Sequence, residues 1–261
     1  MSEEKPVLWH IGISHYSEKA RWALAYKGVE HERKEVPPPA HMVLALAWSR
    51  GSIYTFPFLE LDGERIGDST AIIGTLEAKY PEPPLYPEDP ADRRKALDLE
   101  DFFDNGLGVA ARLIGWHHMR KDPDLLAEVV SADLPAPLRD VPAVRKGVSK
   151  FASSFANARF RVASNEAETD ARRTVLEAAD RIEQELGGGE YLVGDSFTVA
   201  DLTAASLFYP LVLPPDGPGT IGRAPASAQP FVDELRARET WGWVESMFAK
   251  HRKPVREPAT A

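Results

Sequence analysis

The chain contains no cysteine in 261 residues. Disulfides, thiolate zinc sites, iron–sulfur ligation and cysteine nucleophiles are therefore excluded together, and thiol usage carries no information about redox compartment. Positive charge is also scarce: 31 Lys and Arg stand against 40 Asp and Glu, a formal net charge of −9. That balance disfavours a broad phosphate-binding face, so nucleic acid is not an expected partner. Long hydrophobic runs are missing as well. The longest, Met42 to Trp48, is far too short to span a bilayer, and the opening MSEEKP lacks the apolar core of a leader. The expectation is a cytoplasmic protein without membrane contact. Phosphate-loop, HExxH and GxSxG signatures are absent, and no internal repeat is found.

Gly (18) and Pro (22) stay below the share that marks low complexity, so their positions inform more than their total. The densest cluster, Pro81 to Pro90, is too rich in proline for a helix or a central strand and reads as a linker. Before it, the pattern runs strand, helix, strand, helix, strand, strand, helix; after it, helical periodicity dominates. Two unequal domains follow, over 1–80 and 91–261. Val7 to Ile13 reads as a buried strand, and a helix from Ser17 stops at Gly28. Glu30 to Val36 reads as an edge strand. Asp62-Gly63 between Phe56–Leu61 and Glu64–Ile66 signals a type I′ hairpin. Ser69 can then cap a helix that runs to the linker. Beyond the linker, Ala91 to Arg120 reads as one long helix that Gly106 and Gly108 can bend or break. Asp122-Pro123 opens another, and further helices cover roughly 143–162, 168–186, 199–212 and 239–251.

Few local patterns carry chemistry. Gly106 to Ala111 matches GxGxxA, but inside a helical pattern with no preceding strand, which removes its dinucleotide context. His117 and His118 point about 100° apart on a helix, a poor geometry for one metal and one that suits a partly exposed pair. Ser14 and Ser17 lie between the first strand and first helix, where free N–H groups and the helix dipole favour an anion or a thiolate. Local sequence favours Ser17 as the N-cap and leaves Ser14 open. Thr55-Phe56-Pro57 puts a proline at a strand start. Asp68 and Ser69 sit at another strand-to-helix junction, where a carboxylate and a hydroxyl can hold a ligand's ammonium and carboxylate groups or simply cap the helix. Thr198 and Asp201 form a capping box, with Phe197 and Leu202 as its staple, a structural motif.

Taken together, the strand–SxxS–helix start, TFPFLELDG, GDSTAI, the proline-rich linker and GDSFTVAD resemble cytosolic glutathione transferases over most of residues 6–212. The resemblance implies a thioredoxin-like N-terminal domain followed by an all-helical C-terminal domain, usually paired as a homodimer, with glutathione as co-substrate and no metal. Carried over, Ser14 matches the residue at the glutathione sulfur, Pro57 the cis-proline beside a Phe56 backbone that pairs with the tripeptide, and Asp68 and Ser69 the pair on the γ-glutamyl end. His41 and Arg50 are the cations or donors available for the glycyl carboxylate. The chain departs from its relatives in reading Ser14-His15-Tyr16-Ser17, with no cysteine, which excludes mixed-disulfide chemistry. His15 is placed at the thiol or the cleft mouth, and Tyr16 supplies a second hydroxyl. Tyr16, Phe103, Trp116 and Met119 can line the pocket for a hydrophobic electrophile, although core packing is the commoner role for such residues. The segments 121–142 and beyond Pro210 are longer than a minimal member needs, and are expected to shape that pocket. The implied activity is transfer of the glutathione thiolate to the electrophile. A non-catalytic ligand-binding protein on the same fold, and a transferase using another small thiol, remain open beside it.

Overall fold

A computed structural model describes residues 5–36, 40–132, 134 and 136–253. The first unit is a four-stranded sheet in the order β2-β1-β3-β4, with β1 (Val7–His10), β2 (Glu32–Glu35), β3 (Phe58–Leu61) and β4 (Glu64–Gly67). β1 and β2 run parallel, joined through α1 (His15–Tyr26), while β3 pairs antiparallel with both β1 and β4. The hairpin follows from Asp62 and Gly63, whose φ values of 53° and 80° fit the type I′ turn that this residue pair favours. α2 (Ala40–Trp48) precedes β3, and α3 (Ser69–Lys79) closes the unit. As expected, β2 is an edge strand.

The helical unit comprises α4 (Pro90–Phe102), α5 (Gly108–Met119), α6 (Pro123–Ser131), α7 (Ala136–Arg139), α8 (Pro142–Phe160), α9 (Asn165–Leu186), α10 (Val199–Val212), α11 (Gln229–Arg236) and α12 (Glu239–His251). Several elements differ from the sequence reading. β1 ends at His10, α1 starts two residues before Ser17, β3 starts at Phe58 rather than Phe56, and α3 is capped by Asp68 rather than Ser69. Pro90 is the first residue of α4 rather than linker: it has no N–H to lose there, and the Asp89 carboxylate caps the Ala91 and Asp92 N–H groups. The long helix is interrupted by one π turn, Phe103–Leu107, which absorbs an extra residue in the stretch containing Gly106.

The two units share one core across α1 and α10. Trp22 lies fully buried between Phe197 and Phe248, at centroid separations of 5.7 and 4.4 Å, and its indole N–H donates to the His251 carbonyl. α10 is buried on nearly every side, which matches its predominantly apolar sequence. Its start is set by the capping box. Thr198 Oγ1 accepts from Ala200 N–H, while Asp201 accepts from Thr198 N–H (2.9 Å) and from Leu192 N–H (2.8 Å). Burial raises the Asp201 carboxyl to about 6, against the pull of those donors.

Two buried ion networks fasten α1. Lys19 Nζ, fully buried, reaches Glu100 (2.8 Å), Asp104 (2.5 Å) and Thr70 Oγ1 (2.9 Å), tying α1 to α3, α4 and the π turn. Glu18 is held by Arg21 and Arg252; burial alone would raise its carboxyl, but the two guanidinium groups outweigh it and lower it instead. The linker is pinned by Glu77, which pairs with Lys27 and accepts from the Leu85 and Tyr86 N–H groups.

Candidate active site

A cavity of about 600 Å³ opens between the first unit and the face formed by α5, α6 and α8. Its first wall is built at the N-terminal end of α1. Ser14 is the N-cap, with extended backbone, and its Oγ accepts from Ser17 N–H at 3.2 Å. That bond uses a lone pair and leaves the hydroxyl proton free to donate into the cavity. The reading of Ser17 as N-cap is thereby corrected: Ser17 is fully buried inside the first turn, where its Oγ accepts from Ile11 N–H (3.3 Å), and it is not part of the cavity lining. A cap three residues earlier satisfies the free donors of the first turn, and local pattern alone does not separate the two serines.

His15 and Tyr16 face the cavity but spend their polar groups on the helical unit. The His15 ring is buried, its Nε2 is 2.8 Å from the Gly108 carbonyl, and burial with nearby Arg112 lowers its pKa to about 3. It is a neutral donor that ties α1 to α5. Tyr16 donates to the Asp104 carbonyl in the π turn (2.7 Å), and burial raises its phenol well above the ordinary value. The absence of a side chain at Gly108 permits this approach, since a Cβ there would lie 2.4 Å from the Tyr16 oxygen.

A second stretch of the same wall comes from Thr55, Phe56 and Pro57, with the Phe56–Pro57 peptide cis. The Phe56 ring packs against Trp48 and Phe58. Asp68 and Ser69 also line it. Asp68 caps α3 through Oδ1, which accepts from Thr70 (2.9 Å) and Ala71 (3.3 Å), and its φ of 77° is a conformation rare for a non-glycine residue. Its exposed carboxylate therefore retains Oδ2. The Ser69 hydroxyl has no partner among the described residues.

The two candidates on and after α2 part company. His41 lines the cavity, is buried against Phe155, and its Nδ1 has no hydrogen-bond partner; burial lowers its pKa and favours the neutral ring. Arg50 lies on the exposed turn after α2, with φ 54°, away from the cavity lining.

The opposite wall is apolar and comes from the helical unit: Trp116, Met119, Val129, Val130, Phe151 and Phe155. Trp116 and Met119 are where the sequence suggested, and Tyr16 joins them, whereas Phe103 is fully buried in the core and does not reach the cavity. The 121–142 segment, of which 133 and 135 lie outside the described residues, contributes α6 to this wall, and Ile221 contributes from beyond Pro210. His117 and His118 are buried rather than partly exposed. His117 bonds the Val162 carbonyl, and His118 bridges Ser227 and Glu168. Sequence reasoning passed over Arg112 and Arg159, which both line the cavity. Each is an ordinary helix residue by pattern, and only the packing of α5 against α8 reveals it.

Residues 8–84 match the family model for the glutathione S-transferase N-terminal domain, and residues 136–218 match that for the glutathione S-transferase C-terminal domain. A Caenorhabditis elegans protein named as a probable maleylacetoacetate isomerase is 26% identical over all of this chain and 98% of its own length. A Triticum aestivum glutathione S-transferase is 35% identical over 50% of this chain and 61% of its own. Among solved structures, a glutathione S-transferase of Ceriporiopsis subvermispora in complex with glutathione superposes with a TM-score of 0.63 at 17% identity, covering 97% of this chain and 100% of that one.

Proposed function

Because this chain belongs to the glutathione S-transferase family, we propose that it is a cytoplasmic transferase that binds glutathione along the first wall of the cavity and transfers its thiolate to a small electrophile held against the apolar wall. The observation that carries the reading is Ser14: its Oγ accepts from the helix and keeps its proton to donate. A sulfur placed there would receive that proton's hydrogen bond and the positive end of α1, both of which favour thiolate over thiol. The thiol proton leaves to solvent and the sulfur bonds to the electrophilic carbon; in a substitution the halide departs with its bonding pair to solvent, and in an addition the broken π bond takes up a proton from solvent, with no covalent intermediate on the protein. Positioning and charge stabilisation supply the rate.

The rest of the tripeptide has matching groups. The free Asp68 Oδ2 suits the γ-glutamyl ammonium, and the Ser69 hydroxyl, with the N–H groups at the start of α3, suits its carboxylate. The Phe56 backbone beside Pro57 suits pairing with the cysteinyl unit. For the glycyl carboxylate, the unpartnered Nδ1 of His41 favours His41 over Arg50. Pairing as a homodimer belongs to the same reading. Exposed Leu97, Phe102 and Val109 on α4, the π-turn boundary and α5 would be covered by it.

A second reading, glutathione-dependent isomerisation, is supported by the whole-length match to the relative named as an isomerase. The same thiolate would add reversibly to a conjugated double bond and leave again, with no net consumption of thiol.

The test is the thermal stability of wild type and Ser14→Ala with millimolar glutathione, followed by turnover of an aryl halide on the same samples. Both proteins are expected to be stabilised, while turnover falls about a hundredfold in Ser14→Ala, the usual loss for one charge-stabilising donor. Equal turnover in the two proteins removes Ser14 from the chemistry. Binding without turnover in wild type makes the protein a ligand carrier, and stabilisation by a different thiol at much lower concentration replaces glutathione.

A further inference from the structure

Arg112 projects from α5 into the cavity, half-buried, with its guanidinium 4.3 Å from the Phe160 ring centroid and 5.9 Å from that of Tyr16. Among the described residues it makes no ion pair and no hydrogen bond. Arg21, Arg172, Arg238 and Arg252 are all paired with carboxylates. An unpaired, partly desolvated cation is costly, and this protein carries an excess of acidic residues from which to supply a counterion. None of the carboxylates that line the cavity pairs with Arg112: Asp104 binds Lys19 through Oδ2, Asp101 accepts from Asn105, and Asp68 caps α3 through Oδ1. Tyr16 has spent its proton on the Asp104 carbonyl and offers Arg112 a ring face.

A second cation aggravates the imbalance. Arg159, exposed at the end of α8, lies 5.3 Å from the same Phe160 ring and 4.5 Å from Tyr54, again without an ion pair among the described residues. One aromatic ring is thus shared by two guanidinium groups. Burial, and the repulsion from Arg159, both weaken the hold of Arg112 on its proton. Stacking on ring faces leaves the in-plane N–H donors of a guanidinium available, in the fork geometry that fits a carboxylate.

We propose that Arg112 is the anion-binding group of the electrophile half of the cavity, so that the co-substrate is a small electrophile bearing a carboxylate on an aromatic or unsaturated body, drawn in by Arg159 at the rim. Trp116, Met119 and Phe155 on the apolar wall pack the body, and Arg112 fixes its acidic end. What happens to that co-substrate rests on the thiol-transfer reading above; how its anion is held does not.

The experiment uses two matched pairs. The first is 4-chloro-3-nitrobenzoate against 4-chloro-3-nitrobenzamide, with each enzymatic kcat/KM divided by the rate constant of free glutathione with that compound. The second is the unreactive 3-nitrobenzoate against 3-nitrobenzamide, titrated calorimetrically without thiol. Wild type is expected to favour the acid in both. Arg112→Gln should lower the acid-to-amide ratio at least tenfold in each, Arg112→Lys should restore part of it, and Arg159→Gln should reduce it severalfold with a weaker salt dependence. Melting temperatures check that the variants are folded.

Equal affinity of wild type for the two unreactive ligands overturns the proposal whether or not the protein turns over. A loss in Arg112→Gln that is equal for acid and amide makes Arg112 a packing residue. A rise confined to the KM for glutathione moves Arg112 to the tripeptide's glycyl carboxylate. Preference for the unreactive acid with no turnover of either halide leaves the anion site standing and removes the transferase reading instead.

Discussion

On the sheet side, the polar groups of the cavity wall are set by caps and turns: Ser14 at the start of α1, the Thr55–Pro57 stretch, and Asp68 with Ser69 at the start of α3. On the helical side the wall is built mainly of long side chains from α5, α6 and α8, which are far apart in sequence. The first wall suits a ligand whose backbone groups do not vary, because N–H donors and helix ends are fixed by secondary structure. The second suits a variable ligand, because side chains on a helix face change without altering the fold. Between them lies a seam of His15, Tyr16 and Lys19, whose polar ends reach into the helical unit. The same helix therefore presents a ligand-binding end and locks the two walls together.

Breaking the seam has the largest expected effect. Lys19→Met leaves the buried Glu100 and the half-buried Asp104 without their cation and should cost about 3–5 kcal/mol, read by chemical denaturation. A loss below about 1 kcal/mol would mean that the apolar contacts of Trp22 alone hold the walls together. Asp201→Ala removes the acceptor of two buried N–H groups on the helical side and should cost about 3 kcal/mol. Provided the variant is folded at assay temperature, its affinity for glutathione should match wild type, since the sheet-side wall is untouched; a tenfold weaker Kd would show that the walls are not separable. Gly108→Ala acts on the seam itself. Its Cβ cannot coexist with the Tyr16 ring as placed, and overpacking of this kind costs about 2 kcal/mol; turnover should fall as the walls shift, and unchanged stability and turnover would show a seam that yields freely.

The smallest effect is in pH. The unfolded chain takes up a proton on His15 near pH 6.5, whereas the folded protein resists until about pH 3. The contribution of the neutral ring is therefore whole above about pH 6.5 and is lost progressively as pH falls towards 3. His10 and His31 act in the same direction, with values lowered to about 3 and 4. In His15→Gln the decline of melting temperature between pH 7 and 4 should become shallower than in wild type, and an unchanged slope would assign the acid sensitivity to His10 and His31.

Legibility from sequence follows the same division. Elements governed by neighbours in the chain are visible: the Asp62-Gly63 hairpin, the capping box at Thr198 and Asp201, and the hydroxyls and carboxylate at the two helix starts. The exact start of α1 is not, because Ser14 and Ser17 can each satisfy the first-turn donors, and the choice between them is made by where β1 ends. His15, Arg112 and the buried His117–His118 pair are also invisible locally, because burial and hydrogen-bond partners are properties of helices brought together from distant parts of the chain.

By itself, then, the sequence determined a cysteine-free acidic chain, a small mixed sheet followed by helices, and a set of helix-start groups suited to a peptide-like anion, since caps, turns and periodicity act over a few residues. Only the tertiary structure decided which serine faces the cavity, that the long helix after the linker is interrupted by a π turn whose Asp104 carbonyl receives Tyr16, and that two arginines share the Phe160 ring with no ion pair among the described residues. Those outcomes depend on packing between α1, α5 and α8, whose contacts join residues many tens of positions apart.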